Sequence, residues 1–187
     1  MQLRGLRTAV EAVEAAVGMT GGTQFGSIPT FSTRGFGSNS VSILRDGIRQ
    51  NTASQSSRTV DSFVLDRIEV LRGPDGLMFG EGAIGGAVNY ISKSPSADFR
   101  GDALASYGAW GSYRVGLGAG GPLGKSGVTY RADYSHNFTE GFQDRNSQRY
   151  DALALAVGWR ATEKLTLTWF GTFLDDWNES YYGSPVI

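Results

Sequence analysis

The chain contains no cysteine, a single histidine, no long apolar run and no surplus of charge of either sign. The first absence excludes a disulfide framework, thiolate metal sites and cysteine nucleophiles. With His136 alone, a metal site would have to be built from carboxylates, and no Ser-His-Asp set is selected. Asp175, Asp176 and Glu179 lie close in sequence, but in a stretch that reads as a solvated loop. No segment reaches the roughly 18 apolar residues of a spanning helix, a test that does not register membrane β-strands. The start, MQLRGLRTAVEAVEAAVG, lacks the unbroken apolar core of a signal peptide, because Glu11 and Glu14 interrupt it. Seventeen basic against eighteen acidic residues give a net charge of −1, so nothing favours nucleic acid as a partner.

What is plentiful is glycine, with 27 residues and roughly twice the usual share, while aromatics make up 12%. Leu6, Val10, Val13 and Val17 predict a short amphipathic helix over about residues 6–17, stopped by Gly18. VSIL (41–44), RIEVL (67–71) and AVNYI (87–91) read as strands, with turns at RDG (45–47) and GPDG (73–76).

Beyond Asp98 the strands lengthen and alternate. In VTYRADYSHNF, Tyr130, Ala132, Tyr134 and Phe138 share one face, and Arg131, Asp133 and Ser135 the other. KLTLTWFGTF sets Leu165, Leu167, Trp169 and Phe173 against threonines, and DALALAVGW sets Leu153, Leu155, Val157 and Trp159 against alanines. The connections PLGKSG and ATEK are tight, whereas TEGFQDRNSQR and DDWNESYYGSPVI are longer and polar. Alternation over about ten residues with turns short on one side and long on the other is the pattern of a membrane β-barrel. On alternation alone, a soluble antiparallel sandwich fits equally well.

Two glycine-rich stretches imitate nucleotide sites. GEGAIG (80–85) has the spacing of a dinucleotide fingerprint, which needs a helix opening inside it. The following GAVNYISKSP is strand chemistry, so the glycines are assigned to tight turns and close backbone packing. In GAGGPLGKS, Ala119 holds the position where a P-loop needs glycine, which makes it a hairpin turn.

The blocks FSTRGFG (31–37), ILRDGIRQ (43–50) and DSFVLDRIEVLRGPDGLMFGEGAIGGAVNYISKSP (61–95) closely resemble the plug domain of TonB-dependent outer-membrane siderophore receptors. The resemblance implies a mixed α/β plug over residues 1–97. It implies about five antiparallel strands of an incomplete 22-stranded transmembrane barrel over 98–187. It implies a fragment, since single-chain bacterial barrels begin at about eight strands. The implied function is ferric siderophore uptake across the bacterial outer membrane, without bond-making chemistry or a cofactor. The implied partners are the ferric siderophore, outer-membrane lipid, and TonB with its inner-membrane complex through an N-terminal segment. A related cargo (cobalamin, a sugar or another metal complex) or a soluble β-rich binding module are the alternatives.

Carried over by position, Arg34 in TRGF and Gln50, Asn51 and Thr52 after the RDGIR strand become candidate ligand contacts at the plug apex. Phe63 falls where relatives present an aromatic towards the ligand, with plug core as its other reading. Trp177, Tyr181 and Tyr182, placed in an extracellular loop, would close over the ligand or join the aromatic girdle. Arg67, Glu69 and Arg72 are assigned to ion pairs locking plug to barrel.

Overall fold

The computed structural model describes residues 6–24, 28–37, 40–52, 60–73, 85–124, 126–142 and 146–179. The chain divides into two compact units between Ser94 and Pro95.

In the first unit, helix α1 spans Ala9–Glu14, shorter than the periodicity predicts. Its start is set by Thr8, whose hydroxyl accepts from the Glu11 amide at 3.2 Å, while Glu11 reaches back to the Arg7 amide at 2.6 Å. This is a capping box shifted by one residue. The last turn tightens as the Ala16 amide bonds Val13 O, and Val17 is left 80% exposed. Ala9, Val10 and Val13 form the buried face.

Strands β1 (Met19–Gln24) and β2 (Ile28–Thr33) follow as an antiparallel pair that the sequence reading did not anticipate. Next come β3 (Val41–Arg45), β4 (Ile48–Thr52), a single 3₁₀ turn (Ser62–Val64), β5 (Leu65–Arg72) and β6 (Gly86–Ser92). They form a sheet in the order β4-β3-β6-β5, with β3 and β6 parallel. The RDG turn is a two-residue hairpin with positive φ at Asp46 (51°) and Gly47 (80°), the type I′ geometry that Asp-Gly favours. Its carboxylate clamps the end of β6: Asp46 Oδ1 accepts from the Ser92 amide at 2.8 Å, and Oδ2 from the Ser92 hydroxyl at 2.7 Å. Val41, Ile43, Leu44, Phe63, Val64, Ala87 and Val88 are buried, so the two central strands β3 and β6 are covered on both faces.

The second unit is an up-and-down meander: β7 (Arg100–Tyr107), β8 (Tyr113–Pro122), β9 (Val128–Thr139), β10 (Gln148–Thr162) and β11 (Leu165–Asn178). The register aligns Leu117, Tyr134, Leu153 and Phe173 on one face, and Gly118, Asp133, Ala154 and Thr172 on the other. Burial is inverted relative to a water-soluble sheet. Asp133 is 1% exposed and Phe173 67%. Arg114, Arg131 and Ser135 are also buried, while Leu117, Leu155, Val157, Trp159, Leu167 and Trp169 stand bare.

Arg131 Nε donates to Asp133 Oδ2 at 2.6 Å, and Arg131 Nη2 pairs with both Asp133 and Asp102. Room for this ion pair comes from Gly118 on β8, where an added methyl would strike Asp133 Oδ1 and lie 2.6 Å from Arg131 Nη2. The P-loop look-alike is the end of β8 and the turn into β9, as read from the sequence. No helix of the described residues is long and apolar enough to cross a membrane, and the strands are not covered by that test.

Candidate functional site

The register of the first sheet gathers its connections at one end. Val41 pairs with Gly86, Gly86 with Arg72, and Ser42 with Thr52. The segments entering β3, leaving β4 and joining β5 to β6 therefore all spring from one edge of the sheet. At the opposite end sit Arg45, Ile48, Leu65 and Ser92.

Arg34 belongs to the gathered end. Thr33 and Phe36 exchange both backbone hydrogen bonds, at 2.8 and 3.1 Å, around a two-residue turn. Arg34 has φ 48° and Gly35 84°, again type I′ values. Glycine adopts this geometry freely, whereas an arginine there is strained by roughly 1–2 kcal/mol. Non-glycine residues held in this region cluster at ligand clamps and active sites. Arg34 and Phe36 are exposed at the tip.

Gln50, Asn51 and Thr52 climb β4 towards the same end. Ile43 pairs with Asn51 and Leu44 with Arg49, which leaves Gln50 as a bulge between them, exposed. The segment 53–59 that β4 feeds lies outside the described residues, as do Tyr181 and Tyr182.

Two sequence expectations are corrected by position. Phe63 is 1% exposed, in the 3₁₀ turn just before Leu65, at the end of the sheet opposite Arg34. The Lys93 ammonium lies 4.5 Å from its ring centroid. Phe63 is a core residue with no face to offer a ligand. Trp177 is not in a loop: β11 continues to Asn178, and Trp177 pairs with Arg149 of β10. Polar contacts extend the two strands, with Arg149 Nη2 3.4 Å from Asp175 and the Ser147 hydroxyl donating to Glu179 at 2.7 Å. Asp175 and Asp176 of the supposed acidic loop cluster are likewise strand, with Glu179 just beyond it, and among the described residues no group of three His, Cys, Asp or Glu is placed to hold a metal.

Arg67 is exposed and hydrogen-bonded at 2.9 Å to Asp66 and at 2.9 Å to Glu69, bonds that raise its pKa. Glu69 also accepts from Asn89 Nδ2 at 3.3 Å. Arg72 closes β5 opposite Gly86, and its side chain lies outside the described residues. At the far end, burial pushes the Tyr90 phenol well above its usual range and the Arg45 guanidinium below its own.

Gly85, the last glycine of GEGAIG, has the close backbone packing that the sequence assigns to these glycines, against partners the sequence did not name. It is buried, its amide donates to Ser40 O at 2.8 Å, and its carbonyl accepts from the Gly73 amide at 3.2 Å. The chain passes straight from it into β6, so no helix N-terminus is available for a pyrophosphate. Residues 80–84 lie outside the described part.

A family model, the TonB-dependent Receptor Plug Domain, matches residues 1–87. The ferripyoverdine receptor of Pseudomonas aeruginosa is 34% identical over 132 residues, covering 66% of this chain and 16% of the relative. The ferrichrome outer membrane transporter/phage receptor of Escherichia coli is 26% identical over 195 residues, covering 98% and 25%. The solved pyoverdine outer membrane receptor of Pseudomonas aeruginosa, bound to pyoverdine, superposes with a TM-score of 0.82 at 26% identity, covering 92% of this chain and 26% of that one. The chain thus spans about a sixth to a quarter of the length of these relatives. With a plug-like sheet followed by strands that hide polar and bare apolar side chains, residues 1–87 match the TonB-dependent receptor plug domain, and the chain as a whole is similar to the plug and first barrel strands of outer-membrane receptors of that kind.

Proposed function

We propose that the complete receptor containing this stretch takes up a ferric siderophore across the outer membrane. The observation that carries the reading is Arg34, an exposed arginine held in a strained turn where three connections of the plug sheet gather. Ferric siderophores present iron in a shell of oxygens, often anionic. A planar guanidinium and the amide and hydroxyl groups of Gln50, Asn51 and Thr52 suit that shell. The apolar row of Leu117, Leu155, Val157 and Trp169 faces outer-membrane lipid.

Uptake needs no bond-making step and no resident cofactor. The iron stays inside its chelator, and energy arrives when TonB and its inner-membrane complex pull on an N-terminal segment. Arg67, Glu69 and Arg72 on β5 lock plug to barrel until that pull. Arg67, already neutralised within its own strand, contributes least to the lock.

The test is equilibrium binding and radio-iron uptake by the complete receptor against ferric hydroxamate, catecholate and mixed-type siderophores. One of these binds and is accumulated only when TonB is present. Arg34→Ala weakens that binding by about tenfold to a hundredfold, the loss of one charge-assisted hydrogen bond. Uptake of cobalamin, a sugar or another metal complex, with no siderophore bound, overturns the cargo and keeps the transport.

A further inference from the structure

Gly85 leads into β6 and the Arg34 turn precedes β3, far apart in sequence, yet they touch. A Cβ built on Gly85 would lie 2.9 Å from Thr33 Cγ2, 3.1 Å from Ser40 O and 3.2 Å from Phe36 Cβ. Real Cβ atoms are almost never so close to a neighbour, so one partner would have to move. Thr33 has little freedom to do so. It is buried, paired with Met19 across β1–β2, and its hydroxyl donates to Gly18 O at 3.0 Å. The mobile partner is the turn itself, with Arg34 and Phe36 at its exposed tip.

We propose that Gly85 is a positioning residue for ligand binding: by bringing bare backbone against Thr33, Ser40 and Phe36, it fixes where the Arg34 guanidinium stands. Gly85 also accepts from the Gly73 amide and donates to Ser40 O. It therefore ties Gly73, at the end of β5, to Ser40, at the entry to β3, beside the Arg34 turn. The role of Arg34 as a ligand contact rests on the function proposed above; the placement of the turn does not.

Two measurements on the complete receptor separate these. Without ligand, Gly85→Ala speeds hydrogen exchange of the Phe36 amide, which closes the Arg34 turn on Thr33 O, by about tenfold. Adding Thr33→Ser removes the nearest methyl, keeps the hydroxyl on Gly18, and restores part of the protection. Unchanged exchange at Phe36 in Gly85→Ala overturns the inference, whatever the ligand.

With ferripyoverdine as the probe, Gly85→Ala weakens binding by about tenfold, and the loss disappears in an Arg34→Ala background, as expected for two residues acting through one contact. A Gly85→Ala loss that persists undiminished in that background overturns the positioning role. Failure of ferripyoverdine to bind the unmodified receptor counts against that cargo alone, since the exchange measurement still decides the inference.

Discussion

The four-stranded and five-stranded sheets of this chain obey one period-2 rule and bury opposite chemistries. In the first unit Val41, Ile43, Leu44, Ala87 and Val88 lie inside, and strand β6 is covered on both faces. In the second, Arg131, Asp133 and Ser135 are hidden while Leu117, Leu167 and Phe173 stand bare. Alternation tells which residues share a face; it does not tell which solvent that face meets. The deciding information is what the hidden face contains. Asp133 beneath Gly118, paired with Arg131, is a face built to be polar and close-packed, so the opposite face is left for lipid.

The contrast is broken most severely in the plug. Val88→Asp places an unpaired carboxylate in a fully covered strand and is expected to cost more than about 4 kcal/mol, by denaturant unfolding in any medium. Leu155→Arg on β10 is expected to cost about 2 to 4 kcal/mol in bilayers and almost nothing where no hydrocarbon contacts the face. If both substitutions cost the same with and without lipid, the two sheets meet the same solvent.

Smaller effects sharpen it within each unit. Gly118→Ala crowds the Arg131–Asp133 pair and should lower stability by about 1–3 kcal/mol, whereas Gly101→Ala on β7, with nothing nearer than 3.8 Å, should stay within about 0.5 kcal/mol. Asp46→Ala removes both acceptors from Ser92 and should cost about 1–3 kcal/mol in a thermal melt of the plug transition. Smallest is Arg34→Gly: relief of the left-handed backbone should raise stability by up to about 1 kcal/mol while ligand binding falls. A loss of both would make Arg34 a structural residue.

The barrel strands and their faces were legible because long alternation over β9, β10 and β11 leaves no other register. So were the cores of β3, β5 and β6 and the Asp-Gly hairpin. The β1–β2 pair was not, since its buried residues, Met19, Pro29, Phe31 and Thr33, are few and set among glycines and threonines, in a pair joined by a backbone ladder. Strand β4 hid for the same reason: it is a polar edge with Ile48 exposed.

At the site, TRGF marked the Arg34 turn. Phe63 misled because an aromatic beside a sheet can lie at either end, and only the pairing of Leu65 with Ser92 decides which. Trp177 misled because the strand outlasts its apolar stretch, carried on by Arg149 and Asp175. Gly85 was visible as a glycine, but its neighbours come from a connection more than one strand away.

The measurement that tests the central claim most directly uses the absence of cysteine in this stretch. Single spin labels are placed along β10, from A152C to V157C, in the complete receptor freed of any other cysteine and reconstituted in bilayers. The account predicts high oxygen accessibility at Leu153, Leu155 and Val157, and low values at Ala152, Ala154 and Ala156. A flat profile, or one with the alanines facing lipid, would contradict it.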